Sequence, residues 1–164
     1  MLDFDAACLL ARYNDWADRT LFGALEHVPM PEIVCPRNTV FGSILATLNH
    51  NYQVDLIWHA HLIGRKHGFS SRRDLLCPTL DALIAAQCDA NTWLNDWVSR
   101  QDAARLSETV SFEYISGRPG QMARGAMLLH LSHHKTYHRG WISQMLFELG
   151  VKPPETDLSV YLSQ

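Results

Sequence analysis

From Phe4 to about His27 the apolar residues Leu9, Leu10, Tyr13, Trp16, Ala17, Leu21 and Leu25 return at intervals of three and four, the period of a helix buried along one side. Asp3 or Asp5 can cap its start, and Pro29 and Pro31 lie beyond its end. A second periodic stretch begins at Asn38 or Thr39 and carries Phe41, Leu45, Leu48, Val54, Ile57 and Trp58 on to Gly64, a residue suited to stop a helix. The segment GRKHGFSSRRD loses the period and reads as a loop. Pro78 and Thr79 then open a third helix in which Leu80, Leu83, Ile84, Gln87, Asn91, Leu94 and Val98 keep helical spacing to near Arg100, with the Asp89 to Trp93 turn adding polar groups on its outer face. Next, Val110, Phe112 and Tyr114 alternate with Thr109, Ser111 and Glu113, which predicts a short strand or extended link before a turn rich in glycine and proline. A fourth helix runs from about Gln121 to Leu149, closed by Gly150 and the following prolines, and DLSVYLSQ is left as a short packed tail.

Four long helices with one short extended link before the last predict an all-α four-helix bundle, an architecture that builds metal and ligand sites from side chains facing one another across its core. At 164 residues and 47% hydrophobic content, residues 1–164 are expected to form a single domain. The motif N-D-W-x-x-R occurs at Asn14 to Arg19 and at Asn95 to Arg100, too short a match to establish a repeat, and both tryptophans are expected in the core. A net charge of −3 with a sequence pI near 6.3, and basic residues without a common patch, argue against nucleic acid as a partner. No apolar run approaches the roughly 20 residues of a membrane span, and the amino terminus carries Asp3 and Asp5 where a secretory signal would carry Lys or Arg, so a soluble cytoplasmic protein is expected. Cys8, Cys35, Cys77 and Cys88 lack the spacing of a zinc knuckle or redox pair and read as reduced, inert thiols.

The chemistry concentrates in HLSHHKTYHRG at 130 to 140. On a helix turning about 100° per residue, His130, His134 and His138 drift about 40° per step and share one face, whereas His133 lies about 100° from His134 and cannot aim with it. Imidazoles one turn apart can hold an ion between their ring nitrogens, so either His130 with His134 or His134 with His138 is a candidate pair. A further ligand is expected from a facing helix, and the second helix offers His50, His59 and His61. His59 lies about 180° from His50 and is expected at the surface, while His61 returns to the angle of His50 about 16 Å along the axis, so His50 and His61 are alternatives. Gly140 inside the fourth helix suggests close approach of another backbone, and Arg139 suggests a surface or inter-helix ion pair.

The segments YNDWADRTL at 13 to 21, L-x-HNYQVDLIW at 48 to 58 and HLSHHKTYHRG at 130 to 140 resemble the DinB/YfiT-like family. The resemblance implies a four-helix bundle holding a divalent metal on three histidines, which by motif are His50, His134 and His138, with His130 as a neighbour. Many members carry Gln where Trp141 stands here, a departure that removes no ligand. Zinc or nickel is the leading expectation for the metal, with a thiol cosubstrate such as glutathione. Relatives also imply a homodimer acting on a small-molecule substrate.

Three neutral imidazoles leave the charge of a divalent ion uncompensated and a coordination position open, the pattern of a catalytic site. A bound water would become a nucleophile near neutral pH, and a bound thiol would ionise. The resemblance favours a low-molecular-weight-thiol S-transferase or related isomerase. A hydrolase is the alternative, although HKTYH lacks the built-in base of H-E-x-x-H, and a stress-associated metal-binding protein without turnover is another. Tyr52, Tyr137 and Asn49 lie near the ligands in sequence without being assigned a catalytic role. Arg65, Lys66, Arg72 and Arg73 could attract an anionic cosubstrate if their loop folds over the mouth of the bundle.

Overall fold

A computed structural model describes residues 2–164. In chain order its elements are α1 (Phe4–Leu25), α2 (Met30–Val34), α3 (Ile44–Leu62), α4 (Leu80–Ser99), α5 (Ala103–Ser107), β1 (Thr109–Glu113), β2 (Pro119–Ala123), α6 (Arg124–Glu148) and α7 (Leu158–Leu162). The protein is mostly helical. Its four long helices close a ring, with α1 against α4 and α6, and α3 against the same two. Among the described residues no helix is long and apolar enough to cross a membrane.

Side-chain caps set the starts of three long helices. Asp3 accepts from the Ala6 amide at 2.7 Å, Ser43 from Ala46 at 3.1 Å and Thr79 from Ala82 at 3.3 Å, each satisfying a donor the first turn leaves open. The Ser43 cap shifts α3 from its predicted start at Asn38 or Thr39. Gly42 takes φ +84°, and Arg37 donates its amide to the Gly42 carbonyl at 2.6 Å, so residues 38–43 bend and the helix starts after them. At the other end Gly64 takes φ +70° while the Arg65 amide bonds the Ala60 carbonyl, the stop its glycine predicted.

The expected strand at Val110 and Phe112 is present, with a partner that helical periodicity had absorbed into the fourth helix. Residues 119–123 pair antiparallel with β1, Val110 opposite Met122 and Phe112 opposite Gly120, so α6 begins at Arg124 and not at Gln121. A Cβ at Gly120 would come within 2.8 Å of the Phe112 and Tyr114 rings, which makes glycine the residue that lets the hairpin close. The short helices α2, α5 and α7 each span five residues, less than two turns, and leave no period to read. The carboxyl-terminal tail packs as expected, with Tyr161 of α7 lying 5.4 Å from Trp16 and 6.0 Å from Tyr13 between ring centroids.

Leu21, Leu25, Leu83, Ile142 and Met145 belong to one apolar cluster, and Ala11, Leu94, Val98, Leu128 and Leu131 to another. Between these clusters α1, α4 and α6 bury polar side chains, among them Asp18, Gln87, Asn91, Lys135 and Arg139. Lys135 sets its Nζ 2.7 Å from Asp18 Oδ2 and 2.6 Å from Asp55 Oδ2. Gln87 donates to Asp55 at 2.7 Å and Asn91 to Asp18 at 3.0 Å, so all four long helices contribute to one network. Burial alone would lower the Lys135 ammonium, but the two carboxylates outweigh it and raise it. Burial pushes the Asp55 carboxyl up against the pull of Lys135.

Several positions differ from what the sequence predicts. His59 is buried, its ring stacked on Trp93 at 4.4 Å, because α3 is covered on nearly every side and α4 lies where solvent was expected. Gly140 approaches no other backbone, since a Cβ there would meet nothing within 4 Å. Trp16 and Trp97 are half-buried and not fully in the core. Arg139 makes its inter-helix pair inside the protein, with Nη1 3.7 Å from Asp18 and Nη2 donating to the Tyr13 hydroxyl at 3.0 Å.

Candidate metal centre

His50 lies in the second turn of α3, and His134 and His138 lie one turn apart on the face of α6 that packs against it. Each ring offers a nitrogen, and the three nitrogens lie within 4.8 Å of one another. Ring centroids stand 5.1 Å apart for His50 and His134, 4.8 Å for His50 and His138, and 4.4 Å for His134 and His138. The choices that helix angles left open are thereby separated in space. His61 packs instead on Phe112 at 4.6 Å and His67 at 5.3 Å, and His133 is exposed. His130 is the neighbour, 5.9 Å from His134 and 4.5 Å from Trp58.

The donor set fits a divalent ion. The Nδ1 of His50 lies 2.8 Å from the Arg72 carbonyl, which as acceptor fixes the proton on Nδ1 and leaves the Nε2 lone pair free. That Nε2 stands 3.2 Å from the Nε2 of His134, close to the roughly 3.3 Å separating two nitrogens on one tetrahedral ion. Burial lowers His50, and burial reinforced by the neighbouring rings lowers His134 to about 2 and His138 to about 4. All three are neutral at physiological pH, the state in which an imidazole ligates. The Nδ1 atoms of His134 and His138 are buried without a protein partner, so only His50 has its orientation fixed by a backbone acceptor.

Aromatic rings wall one side of the cluster. Phe41 stacks on His50 at 4.0 Å with 19° between planes and meets His138 edge-on at 5.4 Å. Trp141 lies 4.9 Å from His138 and 5.9 Å from Phe41, so the tryptophan that departs from the family pattern helps cover the site. Spacing could not reveal Phe41 as a cover or Arg72 as the orienting carbonyl, since both reach the site through irregular backbone. Asn49 is structural, accepting from the Cys77 amide at 2.8 Å and donating to its carbonyl at 2.9 Å. Tyr137 is largely exposed beside His138, and Tyr52 packs at the edge of a core cluster. The four cysteines are free thiols.

A cavity of about 470 Å³ adjoins the cluster, with His134, His130, Trp58 and Arg72 in its wall. A second, of about 580 Å³, is lined by Arg65, Lys66, His67 and the outer edge of β1. The basic loop thus divides between them, with Arg73 lying over Phe41 at 5.6 Å.

Among known proteins, the chain is similar to Protein DinB of Bacillus subtilis (strain 168), 28% identical over 162 residues that cover 96% of this chain and 94% of that protein. Its fold is similar to the crystal structure of a DinB-like protein from Bacillus cereus ATCC 10987, with a TM-score of 0.70 at 15% identity, covering 94% of this chain and 97% of that one. The model of the DinB family matches residues 1–164, and the chain belongs to the DinB family.

Proposed function

We propose that this protein is a divalent-metal-dependent enzyme of four-helix-bundle architecture that transfers or isomerises with a low-molecular-weight thiol, its ion held by His50, His134 and His138. The observation that carries this reading is the convergence of three neutral imidazoles, His50 and His138 buried and His134 half-buried, beside a cavity in whose wall no carboxylate stands. A divalent ion bound there would supply Lewis acidity to a coordinated thiol or water. Hydrolysis would call for a general base near the attacking water, and the cavity wall offers no Asp or Glu for that work. A thiol needs only to lose its proton to solvent. Its sulfur then bonds to an electrophilic carbon, whose leaving group departs with the electron pair. In that reaction Phe41 and Trp141 shield the histidine face from water, the Arg72 carbonyl holds His50 in one tautomer, and Trp58 walls the space where the electrophile would lie. Zinc and nickel both suit a set of three imidazoles.

Elemental analysis of untagged protein is expected to find a stoichiometric divalent ion, lost in the His50→Ala, His134→Ala variant. Added zinc or nickel should raise the melting temperature of the native chain and not of the variant; at a hundredfold excess over Kd the stabilisation is about 2.7 kcal/mol. Glutathione-dependent consumption of 1-chloro-2,4-dinitrobenzene should disappear with the ion. Unchanged metal content in the variant rejects the site. A melting shift on metal removal without thiol-dependent turnover identifies an ion that only ties α3 to α6.

A further inference from the structure

The 470 Å³ cleft beside His134 has a charge opposite in sign to the chain that builds it. The protein carries −3 overall, yet no acidic residue lines this cleft, while Arg72 and Arg118 both do. Neither guanidinium is paired with a carboxylate among the described residues, although Arg19, Arg37, Arg100, Arg105, Arg124 and Arg139 all have acidic partners. Arg118 is held in place, its guanidinium carbon 4.7 Å from the centre of the Tyr114 ring. The turn that carries both is closed by two backbone bonds, Tyr114 amide to Arg118 carbonyl at 2.9 Å and Gly117 amide to Tyr114 carbonyl at 2.8 Å, with Gly117 at φ +78°. The backbone of Arg72 is anchored from the other side, because its carbonyl is the acceptor for His50. The same cleft carries apolar wall from Val54, Ile57, Trp58 and Ile115, alongside His61, His130 and His134.

We infer that this cleft binds a small organic anion, with Arg72 and Arg118 taking a carboxylate or phosphate and the Val54, Ile57 and Trp58 wall taking a hydrocarbon body. Guanidinium groups suit either oxyanion because their parallel N–H donors match two of its oxygens. An apolar wall beside them rejects small inorganic anions that bring no surface to bury. The inference rests on the reading of the histidine cluster as a metal centre only for its consequence, that the substrate of that centre is an amphiphilic anion.

Calorimetric titration of the protein as purified, with hexanoate, hexyl phosphate and hexanol as probes of matched chain length, tests it. At least one anion should bind about tenfold or more tightly than hexanol, and the tighter of the two names the preferred group. In Arg72→Ser, Arg118→Ser protein that preference should vanish while hexanol affinity and metal content hold. Arg100→Ser, at the exposed end of α4, should leave every affinity unchanged. Equal binding of anions and hexanol, or an anion preference that survives the double substitution, overturns the inference. Retention of arginine-dependent anion binding in His50→Ala, His134→Ala protein separates a failure of the metal reading from a failure of this one.

Discussion

His59 shows how a single residue can be placed at the right angle and in the wrong medium. Its position opposite His50 on α3 follows from the helical turn, but a turn angle does not say what lies on the far side, and here α4 brings Trp93 against the imidazole at 4.4 Å. Burial, aided by the charge of Lys135, lowers this ring to about 3, and its Nε2 is buried without a partner. The ring is neutral in the folded chain, whereas the unfolded chain takes up a proton below about pH 6.5. Its contribution is therefore intact above pH 6.5 and is lost as the pH falls toward 3, by about 1.4 kcal/mol per unit. His59→Phe keeps a ring against Trp93 and removes the titration. Urea unfolding at pH 7 and pH 5 should show a stability loss about 2 kcal/mol smaller in this variant than in the native chain, and equal losses would refute the assignment.

At the scale of elements, periodicity revealed what is long and missed what is short. α1, α3, α4 and α6 each repeat their apolar positions over several turns, which is why their order and most of their ends were legible. β2 was not, because residues 121–123 continue an apolar pattern while their backbone pairs with β1. The histidines of α6 were legible as a stripe, yet angles alone left two pairs open, and the resemblance in residues 48–58 and 130–140 was needed to choose among them. Phe41 and Arg72, which cover and orient the cluster, sit in bends whose path no period encodes. Asp18, Asp55 and Lys135 lie inside the very segments that carry the resemblance, and as charged residues set among apolar ones they are the sign of the buried network that periodicity passed over. Gly140 illustrates the reverse error, an interior glycine read as a contact. Because a Cβ there meets nothing and the helix exposes this position, Gly140→Ala should stabilise the protein by about 1 kcal/mol, measured as a higher urea midpoint with unchanged slope. A destabilised variant would mean that the position packs against something.

For the molecule as a whole, the network of Lys135 with Asp18 and Asp55 decides how the four long helices fit together. Such a network is weak evidence for stability in itself, but removing its one shared cation leaves Asp55 in the core with no cation and Asp18 with Arg139 alone, at 3.7 Å. Lys135→Met should destabilise the protein by about 3–5 kcal/mol in urea unfolding at neutral pH. Adding Asp18→Asn and Asp55→Asn to that variant should recover part of the loss, since neutral amides bury more cheaply than unpaired charges. No recovery would show that the cation matters through its shape and not its charge. Asp55 follows His50 by five positions on α3, and Lys135 follows His134 directly on α6, with the two charged groups 2.6 Å apart. Sliding one rod past the other by a single turn, about 5.4 Å, would pull that bond apart before it could re-form. The pair thus acts as a locating peg: it sets how far along its neighbour each half of the histidine cluster comes to rest.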